Sequence, residues 1–223
     1  FPHHENEIAQ SEAANDCKMA NYWIHNGFVK VDDEKMSKSL GNFFTIRSIL
    51  EHFNPEVIRF FILKAHYRSP LNYSDKHLEE AKQGLNRLYL SIRNITDNQK
   101  SIDWTSPYAN KFKEALDDDF NSAEALSVLY ELANKANKNK SNDDQNLLLR
   151  LANIIGILNQ DPEIFLKGEK KDTHDFDIDK LILKRDAAKK NKNFLEADKV
   201  RNFLESHDIL LEDTPNGTIW RKR

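Results

Sequence analysis

The chain has 223 residues, 39% hydrophobic and 31% charged, with a formal net charge of −3 and one cysteine. That composition excludes a disordered or collagen-like chain and leaves room for one large domain or two to three small ones. No apolar run approaches the roughly 18–20 residues that cross a bilayer, a lone cysteine cannot form an intrachain disulfide and favours a cytosolic setting, and the near-neutral charge does not announce a nucleic-acid binder.

The opening Phe1-Pro2-His3-His4 lacks an initiating Met and lacks a basic start followed by an apolar stretch. The chain therefore reads as an interior portion of a longer protein, with no signal peptide in view. Residues 3–18 are predicted helical, with Ile8, Ala13 and Cys17 facing inward. Tyr22 to His25 and Phe28 to Val31 are predicted strands joined by an Asn26-Gly27 turn. Asp32 to Asn42 is polar and predicted to be a loop.

From Thr45 onward the pattern turns helical. Asn54-Pro55-Glu56 is a helix start, with a cap, a proline in the first turn and an acid at the positive end of the dipole. Val57, Ile58, Phe60, Phe61, Ile62 and Leu63 are too apolar for a surface helix and are expected inside, in a unit that Pro70 ends. Leu78, Ala81, Leu85, Leu88, Ile92 and Ile95 recur at steps of three and four, the seam of a long bundle helix. A second helix starts at Asn121, with Glu124 three residues on, and buries Leu126, Leu129 and Ala133. A third carries Leu147, Leu151, Ile154, Ile155 and Leu158, with Asn134 to Asp144 as the surface connection between them. Three such seams predict a helical bundle.

Gly168 to Asp175 is charged and poor in apolar residues, a predicted linker. A helix near 178–190 follows, then one capped by Asn193 that buries Phe194, Ala197, Val200 and Leu204. The end reads as a hairpin, with Ile209 to Leu211 and Thr218 to Trp220 flanking Pro215-Asn216-Gly217. Asp177 to Arg223 holds 11 Lys and Arg against 9 Asp and Glu, so a +2 segment follows a body at −5. Such a bias suits phosphates, and it also suits any solvated surface.

Two constellations carry chemistry. Lys35-Met36-Ser37-Lys38-Ser39, followed by Leu40-Gly41-Asn42, is polar, with two cations three residues apart and two hydroxyls. A loop of that kind can close over a polyphosphate and stabilise charge on a leaving pyrophosphate. Its plain alternative is a solvated lysine-serine loop. In Phe1-Pro2-His3-His4-Glu5-Asn6-Glu7, a helix would put His3 and Glu7 on one face, as two ligands of one metal require. The string is not His-Glu-x-x-His, because Ile8 stands where the second histidine would be. A capped, solvated helix terminus is its plain alternative.

KMSKS at 35–39 is the signature string of class I aminoacyl-tRNA synthetases, and FPHHENEIAQSEA before KMSKSLGNFF resembles the cysteinyl-tRNA synthetases specifically. The resemblance implies that Lys35 and Lys38 are catalytic in adenylate formation and that residues 35–39 bind ATP, with Mg²⁺. It further implies that His3 and Glu7 hold Zn²⁺ together with two cysteines expected upstream of Phe1; Cys17 lies outside the pattern. The zinc of that family takes the substrate thiolate directly and so rejects serine. The HIGH-type nucleotide motif is absent from these residues, so the chain alone is expected not to form adenylate.

Further segments carry the same likeness. Asp117-Asp118-Asp119-Phe120-Asn121 resembles the family's DDDFN, read here as acids complementing a helix N-terminus. Leu211 to Arg223 resembles an anticodon-binding terminus. Trp220, beside Arg221, can stack on an unpaired base, and a core plug is the plain alternative for a lone terminal Trp. The implied fold is mainly α. Residues 1–45 form the end of a Rossmann-type catalytic domain with the KMSKS loop, 46–73 a stem-contact region and 74–167 the bundle. Residues 168–176 are a linker and 177–223 a small α+β anticodon-binding domain. The implied activity is cysteine--tRNA ligation, with tRNA(Cys), cysteine and ATP as partners, no membrane, a monomer and a cytoplasmic location. The rival readings are a cysteine ligase of mycothiol synthesis, which has no use for an anticodon domain, an RNA-binding module without catalysis, and a purely structural helix bundle.

Overall fold

The computed structural model of the chain describes residues 2–36, 45–97, 100–168, 176–214 and 217–222. Helix α1 (Pro2–Asn15) leads through an extended stretch into strands β1 (Val29–Val31) and β2 (Glu34–Lys35). Helices α2 (Ile46–Leu50) and α3 (Pro55–Leu63) come next, then strand β3 (Leu71–Tyr73). β1 pairs antiparallel with β2 and parallel with β3, with Val29 opposite Leu71 and Val31 opposite Tyr73. The expected hairpin at Asn26-Gly27 is not formed, and residues 22–25 are not a strand. Asp32 and Asp33, at φ +48° and +66°, instead make the two-residue turn whose twist suits a hairpin. Glu34 and Lys35 are therefore strand, where a loop was expected. Gly27 serves a close approach: its N–H donates to Tyr67 O at 2.7 Å, and a Cβ there would lie 2.1 Å from Ser69 O.

Helix α1 stops three residues short of the expected end, where Asp16 takes φ +50°. None of its residues is buried; Ile8 is half-buried, and Ala13 and Cys17 are exposed rather than inward. No stripe along α1 meets a covering element, so its sparse apolar positions stay at the surface.

The bundle consists of α4 (Asp75–Ser91), α5 (Pro107–Asp117), α6 (Ser122–Asn139), α7 (Asn142–Ile154) and the short α8 (Pro162–Lys167). The predicted seam of α4 holds, with Leu78, Ala81, Leu85, Leu88 and Ile92 all buried. They share one core with Val57, Phe60 and Phe61 of α3, Phe112 of α5, Leu126 and Leu129 of α6, and Leu148 and Leu151 of α7. Asn54 caps α3 by accepting from Glu56 N, and Asn121 caps α6 by accepting from Glu124 N. Ile62 and Ile154 are exposed, outside the inward positions assigned to them. The expected connection over Asn134 to Asp144 is mostly helix. Ala136 is buried there, Lys135 Nζ reaches Asp144 at 2.8 Å, and α6 ends only where Lys140 turns left-handed at φ +49°.

A buried polar knot fastens α3 to the bundle. Glu56 accepts from Tyr89 OH at 2.9 Å and from the Leu158 backbone N–H, while Phe165 of α8 stacks on the Tyr89 ring at 3.9 Å. Beyond Gly168 the predicted linker lies largely outside the described residues. Helices α9 (Ile178–Lys190) and α10 (Phe194–Glu205) then pack on the hairpin of β4 (Ile209–Thr214) and β5 (Gly217–Lys222). Val200, Leu204 and Ile209 form a second, smaller core. Phe194, expected inside, is exposed at the first turn of α10.

Candidate active site

Helix α1 carries the first constellation. Its i, i+4 spacing sets His3 and Glu7 on one face, and both side chains are exposed. His4 points elsewhere: its ring stacks on His25 at 5.1 Å and lies 6.3 Å from Trp23. His25 was not singled out by any motif; only its position four residues before β1 hints at a part in the site. Through His4 and His25, the helix bearing His3 and Glu7 is joined to the extended stretch that leads into β1. Among the described residues, no group of three or more His, Cys, Asp or Glu could hold a metal. His3 and Glu7 are an imidazole and a carboxylate, a donor pair suited to zinc but only half of a tetrahedral set.

The second constellation begins on β2. Lys35 is exposed with Nζ 5.1 Å over the Phe28 ring, and Met36 N donates to Val29 O at 3.3 Å as the chain leaves the sheet. Ser37, Lys38 and Ser39 lie outside the described residues. The hairpin beneath them is braced: Asp33 N donates to Asn72 Oδ1 at 3.0 Å, and Asn72 Nδ2 returns a bond to Asp33 Oδ1 at 2.9 Å. Asp32 N donates to Tyr73 O at 3.2 Å. Burial, with a hydrogen bond to Asp75, pushes the Tyr73 phenol up to about 12, so it stays a neutral donor at any working pH.

The Asp117–Asn121 string does not open a helix as a block. Asp117 ends α5, Asn121 caps α6, and Asp119 and Phe120 between them take φ +51° and +55°. In that turn Asp119 accepts from Arg68 Nε at 2.6 Å, Arg68 Nη2 at 3.1 Å and Tyr67 OH at 2.6 Å. The Arg68 bond, then the Tyr67 bond, lowers the Asp119 carboxyl to about 2. Tyr67 and Ser69 are also the residues against which Gly27 packs. The strand entry, the loop after α3 and the bundle thus meet at one clasp, which sequence spacing alone does not signal.

At the far end, Trp220 is half-buried against the second core, with Lys167 Nζ 5.3 Å above its ring. Arg221 Nε donates to Glu212 Oε1 at 2.9 Å across the hairpin. These two residues sit on β5 beside α8 and the second core, whereas His3 and Glu7 are on α1 and Lys35 is on β2.

Around His4 and Lys35, Tyr22, Trp23, Ile24 and Phe28 stand exposed, an apolar concentration unusual for a finished surface. A family model described as tRNA synthetases class I (C) catalytic domain matches residues 1–83, and a DALR domain model matches residues 111–160. The chain is 58% identical over 223 residues to a "Cysteine--tRNA ligase" of Methylobacillus flagellatus. Proteins of the same name from Aromatoleum aromaticum and Laribacter hongkongensis are 55% and 53% identical. Each alignment covers 100% of this chain and 49% of the relative, so the chain spans about half the length of the curated relatives it matches. Identity of this order runs from the His3 helix to the terminal hairpin rather than stopping at the motifs, and the chain belongs to the cysteinyl-tRNA synthetase family.

Proposed function

We propose that the full-length protein containing this chain is a cysteine--tRNA ligase, which uses ATP to form cysteinyl-adenylate and passes the cysteine to tRNA(Cys). The observation that carries the reading is the His4–His25 stack, which ties the helix bearing His3 and Glu7 to the segment four residues before the hairpin on which the KMSKS string begins. One site can then hold the amino acid on one wall and the nucleotide on another.

Lys35 starts from a braced strand and Lys38 follows three residues later in the sequence, and together the two cations would meet the nucleotide phosphates. They would offset charge on the departing pyrophosphate, while Met36, Ser37 and Ser39 supply the backbone and hydroxyl donors around it. His3 and Glu7 would hold a zinc ion with two thiolates from the other half of the protein. The bound metal would supply a soft contact for the cysteine sulfur, which a serine hydroxyl cannot match. The exposed Tyr22, Trp23 and Phe28 face would pack on that other half.

Helices α5 to α7, where the DALR model matches, and the basic α9–β5 segment would lie along the RNA. Retention of that segment favours tRNA over a small amino sugar as acceptor. Trp220 and Arg221 sit on its hairpin, and their present partners, Lys167 and Glu212, would have to yield for a direct base contact. No helix among the described residues is long and apolar enough to cross a membrane; the proposed setting is the cytoplasm, as a monomer.

Lys38→Ala in the full-length protein is expected to slow cysteine-dependent pyrophosphate exchange by about 10²–10³-fold, with cysteine affinity little changed. An unchanged exchange rate would reject the role given to Lys38.

A further inference from the structure

The bundle core and the α9–β5 core share no residue, and no hydrophobic cluster among the described residues spans both. A cavity of 620 Å³ lies between the two parts instead. Its lining includes Val57, Lys82, Asn86 and Leu166 on the bundle side and His207 and Lys222 on the other. Besides Lys167 Nζ over the Trp220 ring, the contacts that cross the junction include a polar set converging on one side chain. Arg93, just past the end of α4, is 4% exposed at its side chain. Its Nε and Nη2 grip the two oxygens of Glu163 on α8, and Nη2 also donates to the Trp220 carbonyl of β5 at 2.8 Å. Nη1 is buried without a hydrogen-bond partner, and its nearest acid is Glu212 of β4 at 3.8 Å.

A buried guanidinium with one unsatisfied nitrogen is a poor device for stability, because an apolar plug of similar volume would avoid the desolvation cost. It is a good device for selecting one arrangement, since the planar fork meets α8 and the hairpin together only at one angle. We propose that Arg93 is a positioning residue that sets the angle of the α9–β5 module to the bundle, and so determines whether tRNA bound at the site also reaches the module. This rests on the reading of the protein as a tRNA-charging enzyme.

Arg93→Ala in the full-length protein is expected to raise the KM for tRNA(Cys) about tenfold. Pyrophosphate exchange, and charging of a minihelix that carries only the acceptor stem, should stay unchanged. Arg93→Lys, which keeps the charge and loses the fork, should show the same pattern less strongly. An unchanged KM for tRNA(Cys), or an equal loss on minihelix and tRNA, would overturn the proposal. Small-angle scattering of the RNA-free protein tests the geometry even if the enzyme proves to charge no tRNA. A broader distance distribution in Arg93→Ala supports the clasp, and superimposable curves overturn it.

Discussion

Asp119 sits in a left-handed turn with Arg68 on its two oxygens and Tyr67 on one of them, and that crowding of donors holds its carboxyl near 2. A depressed carboxylate contributes stability that is complete above its unfolded value, about 3.9, and is lost as pH falls through the folded one. Asp119→Asn in the full-length protein should therefore be less stable than the parent at pH 7, with the deficit closing between about pH 4 and pH 2. Glu163, lowered to about 2 by Arg93, titrates over the same window but does so in both proteins, so the difference isolates Asp119. Urea midpoints across that range check it, and a deficit that persists unchanged to pH 2 would show that the carboxylate charge is not what the clasp uses. The acid's identity was plain in the sequence, but its partner was not. Arg68 lies about fifty residues earlier, and only folding brings the two together.

At the scale of elements, legibility followed burial. Leu78, Ala81, Leu85, Leu88 and Ile92 are buried where their spacing put them, and Asn54, Asn121 and Asn193 cap the helices they were expected to cap. What spacing could not show was a requirement imposed by another part of the chain. Asn26-Gly27 has the composition of a hairpin turn, yet Gly27 is needed because residues 67–69 pass over it. Asp32-Asp33 lacks glycine and still makes the turn. Helix α5 and the short α8 were not foreseen; α5 does bury Ala109, Phe112 and Ala115 at steps of three, but two of those three are alanines, which mark a buried stripe weakly, and α8 is only six residues long. Gly27→Ala should accordingly cost about 1–3 kcal/mol, because the 2.1 Å contact is with backbone that cannot swing aside. Hydrogen exchange at Leu71 N–H, bonded to Phe28 O next to the glycine, reads the damage locally; native protection there would mean that the loop gives way freely.

At the scale of the whole molecule, the described residues form two cores and leave a face around α1 that neither covers. The bundle core and the α9–β5 core are complete in themselves, whereas α1 buries nothing and Tyr22, Trp23 and Phe28 face outward beside it. The candidate site lies on that uncovered face. The shared face of His3 and Glu7 was legible because helical spacing is a local property, whereas their proposed ligand role, like the role of Lys35, came from resemblance to a family string. His25 was not, because a ring stack between separate segments leaves no mark in spacing. The account assigns to this half of the protein two of the metal's ligands and the cations that meet the nucleotide.

Zinc content and amino-acid selectivity, measured together in the full-length protein bearing His3→Ala and Glu7→Gln, test that assignment most directly. The account predicts that bound zinc falls well below one per chain and that pyrophosphate exchange with cysteine loses its advantage over serine, while both variants melt as the parent does. One zinc per chain with undiminished preference for cysteine in both variants would contradict it.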